Sequence, residues 1–173
     1  MKTTLLLALL LSASFQFSFA QTTDSLNGKL TGQWVIESVK FKTPVDLNKD
    51  GTKSADAINE YTDCQKDYLM ELSEDMTARV ATGTRVKDCK KEETPYTWKV
   101  VYKQIRDERY ENGRRIVNDH MVPVLVLKKV SGGGGRMVRI IDVSKKLLTV
   151  RMELNDGSDS TSEAEVIYKK SKK

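Results

Sequence analysis

Apolar and polar residues alternate with a period of two along most of the chain, and this pattern predicts half-buried β-strands. In the first run, residues 34–41, Trp34 and Ile36 fall on one side and Val39 and Phe41 on the other. Similar runs occupy residues 67–73, 76–81, 96–103, 120–130, 136–143, 145–154 and 162–170. The pattern therefore indicates roughly eight or nine short strands with few helical signals.

The residues between these runs favour tight connections. Asn112-Gly113 is among the strongest short-range hairpin signals. Ser131–Gly135, SGGGG, predicts a flexible connector, and Pro123 predicts a bulge or a sheet edge. Such a series of strands fits a sandwich or an up-and-down barrel, and sequential hairpins favour the meander because neighbours in sequence then pair in space. We predict an all-β fold, a single up-and-down antiparallel β-barrel.

One segment, residues 44–64, is polar and breaks the strand pattern. Within it, residues 54–61 predict a short helix with Ala57, Ile58 and Tyr61 on one face. The segment joins the first and second strands. In a meander barrel this connection covers one open end.

Residues 1–20 have the pattern of a secretory signal peptide. Lys2 precedes a short apolar run, and the small residues Ser18 and Ala20 precede the predicted cleavage point. The apolar run is too short to span a bilayer, which takes about 20 residues. Because Gln21 rather than a cysteine follows the cleavage point, we expect a soluble exported protein, periplasmic or secreted, without a lipid anchor.

Residues 21–173 then form one domain by length. The 173-residue chain has a formal net charge of +5, with 29 Lys and Arg residues interspersed among 24 Asp and Glu residues. This mixed surface lacks the basic stripe with interleaved aromatic residues that is typical of nucleic-acid binding. We expect no nucleic-acid partner, and no second apolar stretch is long enough for a membrane span.

No arrangement of reactive side chains points to catalysis. His120 is the only histidine and has no partner at ligand spacing. The sequence has no nucleophile elbow and no convincing pair of carboxylates. We therefore expect no catalytic residues and a protein that is not an enzyme.

Cys64 and Cys89 are the two cysteines of the chain. An even number of cysteines in an exported protein favours a disulfide. Two free thiols or a pair of metal ligands are the alternatives, and a metal site would need further ligands. We predict a Cys64–Cys89 disulfide that ties the first long connection to the segment before residues 96–103.

The segment DLNKDGTKS resembles the start of a calcium loop. Asp46, Asn48 and Asp50 stand at positions one, three and five. Thr52 could offer its carbonyl oxygen and Ser54 its hydroxyl. Oxygen atoms at alternate positions can converge on a hard cation. Calcium is the one cofactor that the sequence suggests.

The twelfth position of this loop lacks the expected acid. Ala57 stands where a bidentate carboxylate belongs, with Asp56 one residue early and Glu60 three residues late. The alternative is a turn rich in Asx residues and glycine that caps the short helix. Both interpretations stay open at this point.

Gly32-Gln33-Trp34 at the head of the first strand resembles the Gly-x-Trp signature of lipocalins. The chain is also similar to bacterial lipocalin-like domains of exported proteins in the order of its segments. These segments are LTGQW, DLNKDGTKSADAINEYTDC, the hairpin DCQKDYLMELSEDMTARVATG, a second cysteine and YTW. The resemblance implies that Trp34 closes one end of the barrel. A large flat side chain can fill such an end, and Gly32 lets the chain turn tightly beneath it.

The same resemblance implies a basic side chain over the Trp34 ring, for which the candidates are Arg151, Lys169 and Lys170. It also implies a binding protein that holds a small apolar or amphipathic molecule in the mouth of the barrel. The alternative is an envelope or interaction module whose barrel is filled by its own side chains. The sequence identifies neither the ligand-binding residues nor the oligomeric state.

Overall fold

The structure is a computed structural model that describes residues 24–156 and 161–171. The predicted signal peptide, residues 1–20, lies outside the described residues. In the described part, helix α1 covers residues 24–30, a 3-10 helix covers Ala57–Glu60 and helix α2 covers Asp63–Lys66. No helix in these two stretches is long and apolar enough to cross a membrane. The strands are β1 Gly32–Val45, β2 Ser54–Asp56, β3 Tyr68–Leu72, β4 Thr77–Thr82, β5 Glu92–Glu111, β6 Arg114–Lys129, β7 Gly135–Val143, β8 Leu147–Asn155 and β9 Thr161–Lys170.

The nine strands of the described residues form one antiparallel sheet in the order β2-β1-β3-β4-β5-β6-β7-β8-β9. From β3 to β9 each strand pairs with its neighbour in sequence, which confirms the predicted meander. The last strand, β9, also pairs with β1, so the sheet closes in a ring. The short β2 lies beside the later part of β1.

The ring has two ends, which we name by what lies there. The Trp34 end carries α1 and the turns before β4 and β8, residues 73–76 and 144–146. The loop end carries residues 46–67 and 83–91, which connect β1 to β3 and β4 to β5. Within the first long connection, Ala57 belongs to the apolar core, and Ile58 and Tyr61 pack against it.

One apolar cluster fills the inside of the ring, because the inward-facing residues of the strands are large and apolar. Its members with less than 2% of their surface exposed are Leu30, Trp34, Val39, Ala57, Leu72, Leu125, Leu148, Val150, Ala164 and Val166. Burying a side chain of this size stabilises a fold by roughly 1.5–3 kcal/mol. The interior is thus the main source of stability.

The regular alternation predicted for β1 is wrong in one detail. Trp34 and Val39 stand at positions of opposite parity, yet both are fully buried. The pairing of β1 with β9 shifts register between Ile36 and Ser38, which is a β-bulge. A bulge adds one residue to a strand and moves the following side chains to the other face. Residues on both sides of the first run therefore reach the core.

The helix predicted for residues 54–61 is also corrected. Ser54–Asp56 pairs with β1, and only Ala57–Glu60 is helical, as a single 3-10 turn. The Asp56 carboxylate accepts hydrogen bonds from the backbone N–H groups of Val39 and Ile58 and from the Ser38 hydroxyl. These bonds hold residue 56 against the strand, which prevents a longer helix.

Strands β5 and β6 are much longer than predicted and form a ribbon. They pair in one continuous register to Glu111↔Arg114, with Asn112 and Gly113 as the two-residue turn. Both turn residues have positive φ, 49° and 74°, as the hairpin signal predicts. Strand β7 pairs with β6 only from Val124 onwards, so the preceding part of β6 has a free edge.

Pro123 is the last residue of that free edge. It faces Tyr102 on β5 without a register shift and precedes the first residue of β6 that pairs with β7. A proline has no N–H group for a ladder hydrogen bond, so an edge is a tolerated place for it. The edge position predicted for Pro123 is confirmed, and the alternative of a bulge is not found.

Candidate functional site

The Trp34 end is built around a tryptophan and a lysine. Trp34 is fully buried, and its indole N–H donates a hydrogen bond of 2.6 Å to the carbonyl oxygen of Leu30. Of the three candidate basic residues, Lys170 lies over the ring, with its Nζ atom 5.1 Å from the ring centroid. Lys170 also donates to the Lys29 carbonyl at 3.4 Å. The side chain thus covers the tryptophan and meets the end of α1.

Gly32 is required by this arrangement. Its φ is +132°, a conformation that other residues rarely adopt, and a Cβ atom there would lie 2.5 Å from Cε of Lys170. The glycine therefore lets Lys170 approach the tryptophan. Gly32, Trp34 and Lys170 therefore pack against one another at this end of the ring.

A second feature lies on the side of the ring, between β7 and β8. The pairing of β7 with β8 runs from Arg139↔Arg151 to Val143↔Leu148. The part of β7 that precedes Arg139 lies nearer the loop end and pairs only with β6. Likewise, the last residues of β8, from Met152, pair only with β9. The two strands separate there and leave a cleft of about 640 Å³, a size within the usual range of small-molecule sites.

The lining of the cleft combines apolar and charged side chains. Its residues are Lys103, Val124, Arg136, Met137, Arg139, Arg151, Met152, Glu153, Leu154, Asn155 and Glu163. Arg151 lies 3.9 Å from the Glu163 carboxylate and 3.8 Å from that of Glu165. Among residues 24–156 and 161–171, no ion pair within 4 Å involves Arg136 or Arg139. The cleft therefore presents positive charge beside an apolar wall.

Aromatic hydroxyl groups lie next to Arg136. Tyr68 and Tyr168 are 6.0 Å apart between ring centroids, and Arg136 interacts with both. Burial raises the pKa of both tyrosines, and the Arg136 charge opposes that rise. Both hydroxyl groups are therefore neutral at physiological pH and can donate hydrogen bonds.

The predicted calcium loop lies at the loop end. The Asp46 carboxylate accepts from the N–H groups of Asp50 and Gly51 at 3.1 and 2.9 Å. The Asn48 side chain binds the backbone N–H of Asp50 and the Asp50 carboxylate, both at 3.0 Å. The Thr52 N–H and Asn48 hydrogen bonds lower the pKa of Asp50. These hydrogen bonds hold the loop in a fixed turn, with Asp50 ionised at neutral pH.

The structure brings some of the predicted ligands together and leaves others apart. Carboxylate oxygens of Asp46, Asp50 and Glu60 lie within 4.8 Å of one another. Thr52 contributes its N–H to the turn, and the Ser54 hydroxyl donates to the carbonyl oxygen of residue 56 instead. Glu60 is the acid that the sequence placed three positions too late. Because the 3-10 helix Ala57–Glu60 is more compact than an extended chain, Glu60 lies close to Asp46 and Asp50.

The two cysteines are joined as predicted, with Cα atoms 5.5 Å apart. Their bond ties α2, which contains Cys64, to the connection between β4 and β5, which contains Cys89. Asp67 strengthens the same junction. Its buried carboxylate accepts from the backbone N–H groups of Arg85 and Val86 at 2.6 and 3.0 Å and from the Arg85 guanidinium at 2.5 Å.

Residues 13–105 match the model of a family described as a domain of unknown function, DUF5004. The chain belongs to the DUF5004 family. No curated protein matches it. The matched part of this DUF5004 protein contains Gly32, Trp34, both cysteines and the loop with Asp46. Strands β7 and β8 lie after the match, whereas Lys103 of the cleft lies within it.

Sequence reasoning missed several residues of these sites in the DUF5004 protein. Arg136 and Arg139 stand in a strand whose alternation was predicted, but the separation of β7 from β8 has no sequence signal. Asp67 borders a predicted strand, and its partners lie 18 and 19 positions away. Only Glu60 had a signal, since it was noted as a displaced acid near the loop.

Proposed function

We propose that this protein is an exported lipocalin-like β-barrel that binds a small amphipathic anion in the β7–β8 cleft. The secretory pattern of residues 1–20 supports export. The ring of strands with Gly32 and Trp34 at one end supports the lipocalin-like assignment. The observation that carries the binding function is the cleft between the separated ends of β7 and β8, at about 640 Å³.

The charges of the cleft favour an anionic ligand. Arg136 and Arg139 lie in the wall without a carboxylate within ion-pair distance in the described residues, and the amine of Lys103 lies 3.1 Å from the sulfur of Met137. A carboxylate or sulfonate near two guanidinium groups forms charge-assisted hydrogen bonds, which are among the strong ones. The anionic head of the ligand would therefore bind on the arginine side.

The apolar residues of the cleft favour an apolar tail on the same ligand. Val124 and Met137 stand on neighbouring strands, and Met152 and Leu154 stand on β8 across the opening. Methionine side chains are flexible and adapt to irregular ligands. Apolar walls with a few well-placed polar groups are typical of small-molecule sites. A single-tailed fatty acid has this combination of head and tail.

Two fluorescent probes test the proposal. 8-Anilinonaphthalene-1-sulfonate carries a negative charge, and N-phenyl-1-naphthylamine has the same ring system without it. We expect the sulfonate to bind more tightly, and Arg139→Gln to weaken it about tenfold, because a hydrogen bond to a charged group contributes roughly 1.5–3 kcal/mol. The same substitution should leave the neutral amine unaffected. The matched control is Arg114→Gln at the ribbon tip, which should change neither affinity.

Equal affinities for the two probes, or a sulfonate affinity that Arg139→Gln leaves unchanged, would contradict the proposal. Native mass spectrometry of protein from its own source then identifies the natural ligand. A co-purified small anion is the expected result.

The second candidate is a filled barrel that acts as an interaction module. The packed interior favours it, and so does the ribbon, which exposes 74% of Tyr110 and 56% of Met121. Saturable binding of neither probe, together with no co-purified small molecule, is the result that this alternative predicts.

A further inference from the structure

Glu60 is in an unusual position for an acid. Only 9% of its surface is exposed, and its Oε2 atom is buried without any hydrogen-bond partner. A buried carboxylate oxygen without a donor is costly, and charged groups in protein interiors are normally paired or bound to metal ions. A positively charged partner beside the Glu60 carboxylate would offset this cost.

The nearest groups to Glu60 are themselves acidic. Carboxylate oxygens of Asp46, Asp50 and Glu60 all lie within 4.8 Å of one another. Like charges at this distance repel, so the cluster is unfavourable unless a cation neutralises it. Among the residues that the structure describes, no lysine or arginine forms an ion pair with any of the three. A cation from solution would supply the missing charge.

We propose that Asp46, Asp50 and Glu60 bind a calcium ion at the loop end. Calcium takes six to eight oxygen ligands at about 2.3–2.6 Å, so oxygen atoms bound to one ion lie at most about 5 Å apart. The three carboxylates meet this limit. Asn48 lies in the same turn and offers a further amide oxygen, and water fills the remaining positions.

The site differs from a contiguous twelve-residue loop in the origin of its last acid. Asp46 and Asp50 come from the turn after β1, which their own hydrogen bonds keep in shape. Glu60 comes from the end of the 3-10 helix Ala57–Glu60, on the far side of β2. A bound ion therefore joins the turn to the segment that continues into α2 and the disulfide. This role is independent of ligand binding in the β7–β8 cleft.

Isothermal titration calorimetry with calcium chloride tests the proposal on the mature protein after treatment with chelator. We expect wild-type protein to bind one calcium ion with a dissociation constant between about 10⁻⁶ and 10⁻³ M. A hundredfold excess over that constant should raise the melting temperature by roughly 5–10 °C. Glu60→Gln keeps the shape and removes the charge, and should weaken binding at least tenfold.

Two further variants, together with Glu60→Gln in the absence of calcium, separate an effect on calcium binding from an effect on folding. Without calcium, Glu60→Gln should be at least as stable as wild type, because it removes an unpartnered buried charge. Asp50→Asn alters an exposed residue, leaves folding intact and should also lose calcium binding. Glu74→Gln, an exposed acid at the Trp34 end, is the matched control and should bind calcium as wild type does.

Two outcomes would overturn the proposal. One is a wild-type protein that shows neither heat of binding nor a change in melting temperature at a calcium concentration about tenfold above the highest dissociation constant expected. The other is a Glu60→Gln protein that binds calcium as tightly as wild type.

Discussion

At the scale of single residues, Asp67 shows how a buried charge is stabilised by contacts that are distant in sequence. Burial acts to raise its pKa, but the Arg85 and Val86 N–H groups and the Arg85 guanidinium outweigh it and lower the pKa below the ordinary 3.8. A carboxyl group whose pKa is lower in the folded than in the unfolded state stabilises the fold when it is ionised. Asp67 therefore stabilises the junction at neutral pH.

Asp67→Asn should lower the free energy of unfolding by about 2–3 kcal/mol at pH 7, because buried N–H groups lose a charged acceptor. The difference from wild type should stay constant at neutral pH. It should shrink as pH falls below about 4 and through the lowered folded-state pKa, where Asp67 becomes protonated. Urea unfolding between pH 2.5 and 7 measures this, with Glu74→Gln as an exposed control. A difference that is independent of pH would contradict the assigned role.

Residue-scale prediction from sequence succeeded where a local signal defines the residue. The burial of Trp34 beneath a basic side chain was predicted because Gly32 and the first strand flank it directly. Asp67 was not found and Glu60 was noted only as a displaced acid, since their neighbours reach them only after β3, β4 and the 3-10 turn have packed. An acid at the border of a strand looks the same whether it is buried or exposed.

At the scale of elements, the β5–β6 ribbon was predicted by its turn but not by its length. Charged residues are frequent in its outer half, and because Asp, Glu and Lys are depleted in strands in general, this composition gives no strand signal. The structure shows their cross-strand partners, since Arg106 binds Asp119 and Arg115 binds Glu108. Opposite charges across a ladder stabilise it modestly, and this pairing cannot be recognised before the register is known.

The ribbon should be removable without loss of the ring. We expect that deleting residues 104–111 and 114–121, so that Asn112-Gly113 joins Lys103 to Val122, preserves the register, because Lys103 and Val122 are cross-strand partners. No deleted residue is buried. The melting temperature should therefore stay within about 5 °C of wild type, since surface changes usually alter stability by no more than about 0.5 kcal/mol each. A matched deletion that shifts the register by one residue should unfold the protein.

Circular dichroism and calorimetry of both deletions provide the measurement. Loss of the folded state in the register-preserving deletion would show that the ribbon packs on the ring in a way that the exposed surfaces do not indicate.

At the scale of the whole molecule, the disulfide joins two connections at the loop end. The bond closes a loop of 25 positions, which should stabilise the fold by about 3–4 kcal/mol in the chain-entropy estimate. The double variant Cys64→Ala and Cys89→Ala should melt at a lower temperature than oxidised wild type. Wild type in reductant should melt close to the variant. A variant that still responds to reductant, or that melts as oxidised wild type does, would contradict this.

The order of the strands from β3 to β9 was predictable because each strand pairs with its neighbour in sequence. A barrel was predicted as well, but the strand pattern alone also fits a sandwich, because closure depends on the sum of strand twists rather than on any one motif. The separation of β7 from β8 follows from a register shift between Ile140 and Asp142 and the end of pairing at Arg139↔Arg151. Neither feature changes the alternation that sequence reasoning follows.

The pairing of β1 with β9 has a consequence for how the chain folds over time. Across this seam, Glu37 and Lys169 are 132 positions apart and their side chains lie within 3.2 Å. Contacts between such distant positions require a large loop to close first, and folds rich in them form in milliseconds to seconds rather than microseconds. The edge of β1 that pairs with β9 therefore stays unpaired until β9 has been synthesised.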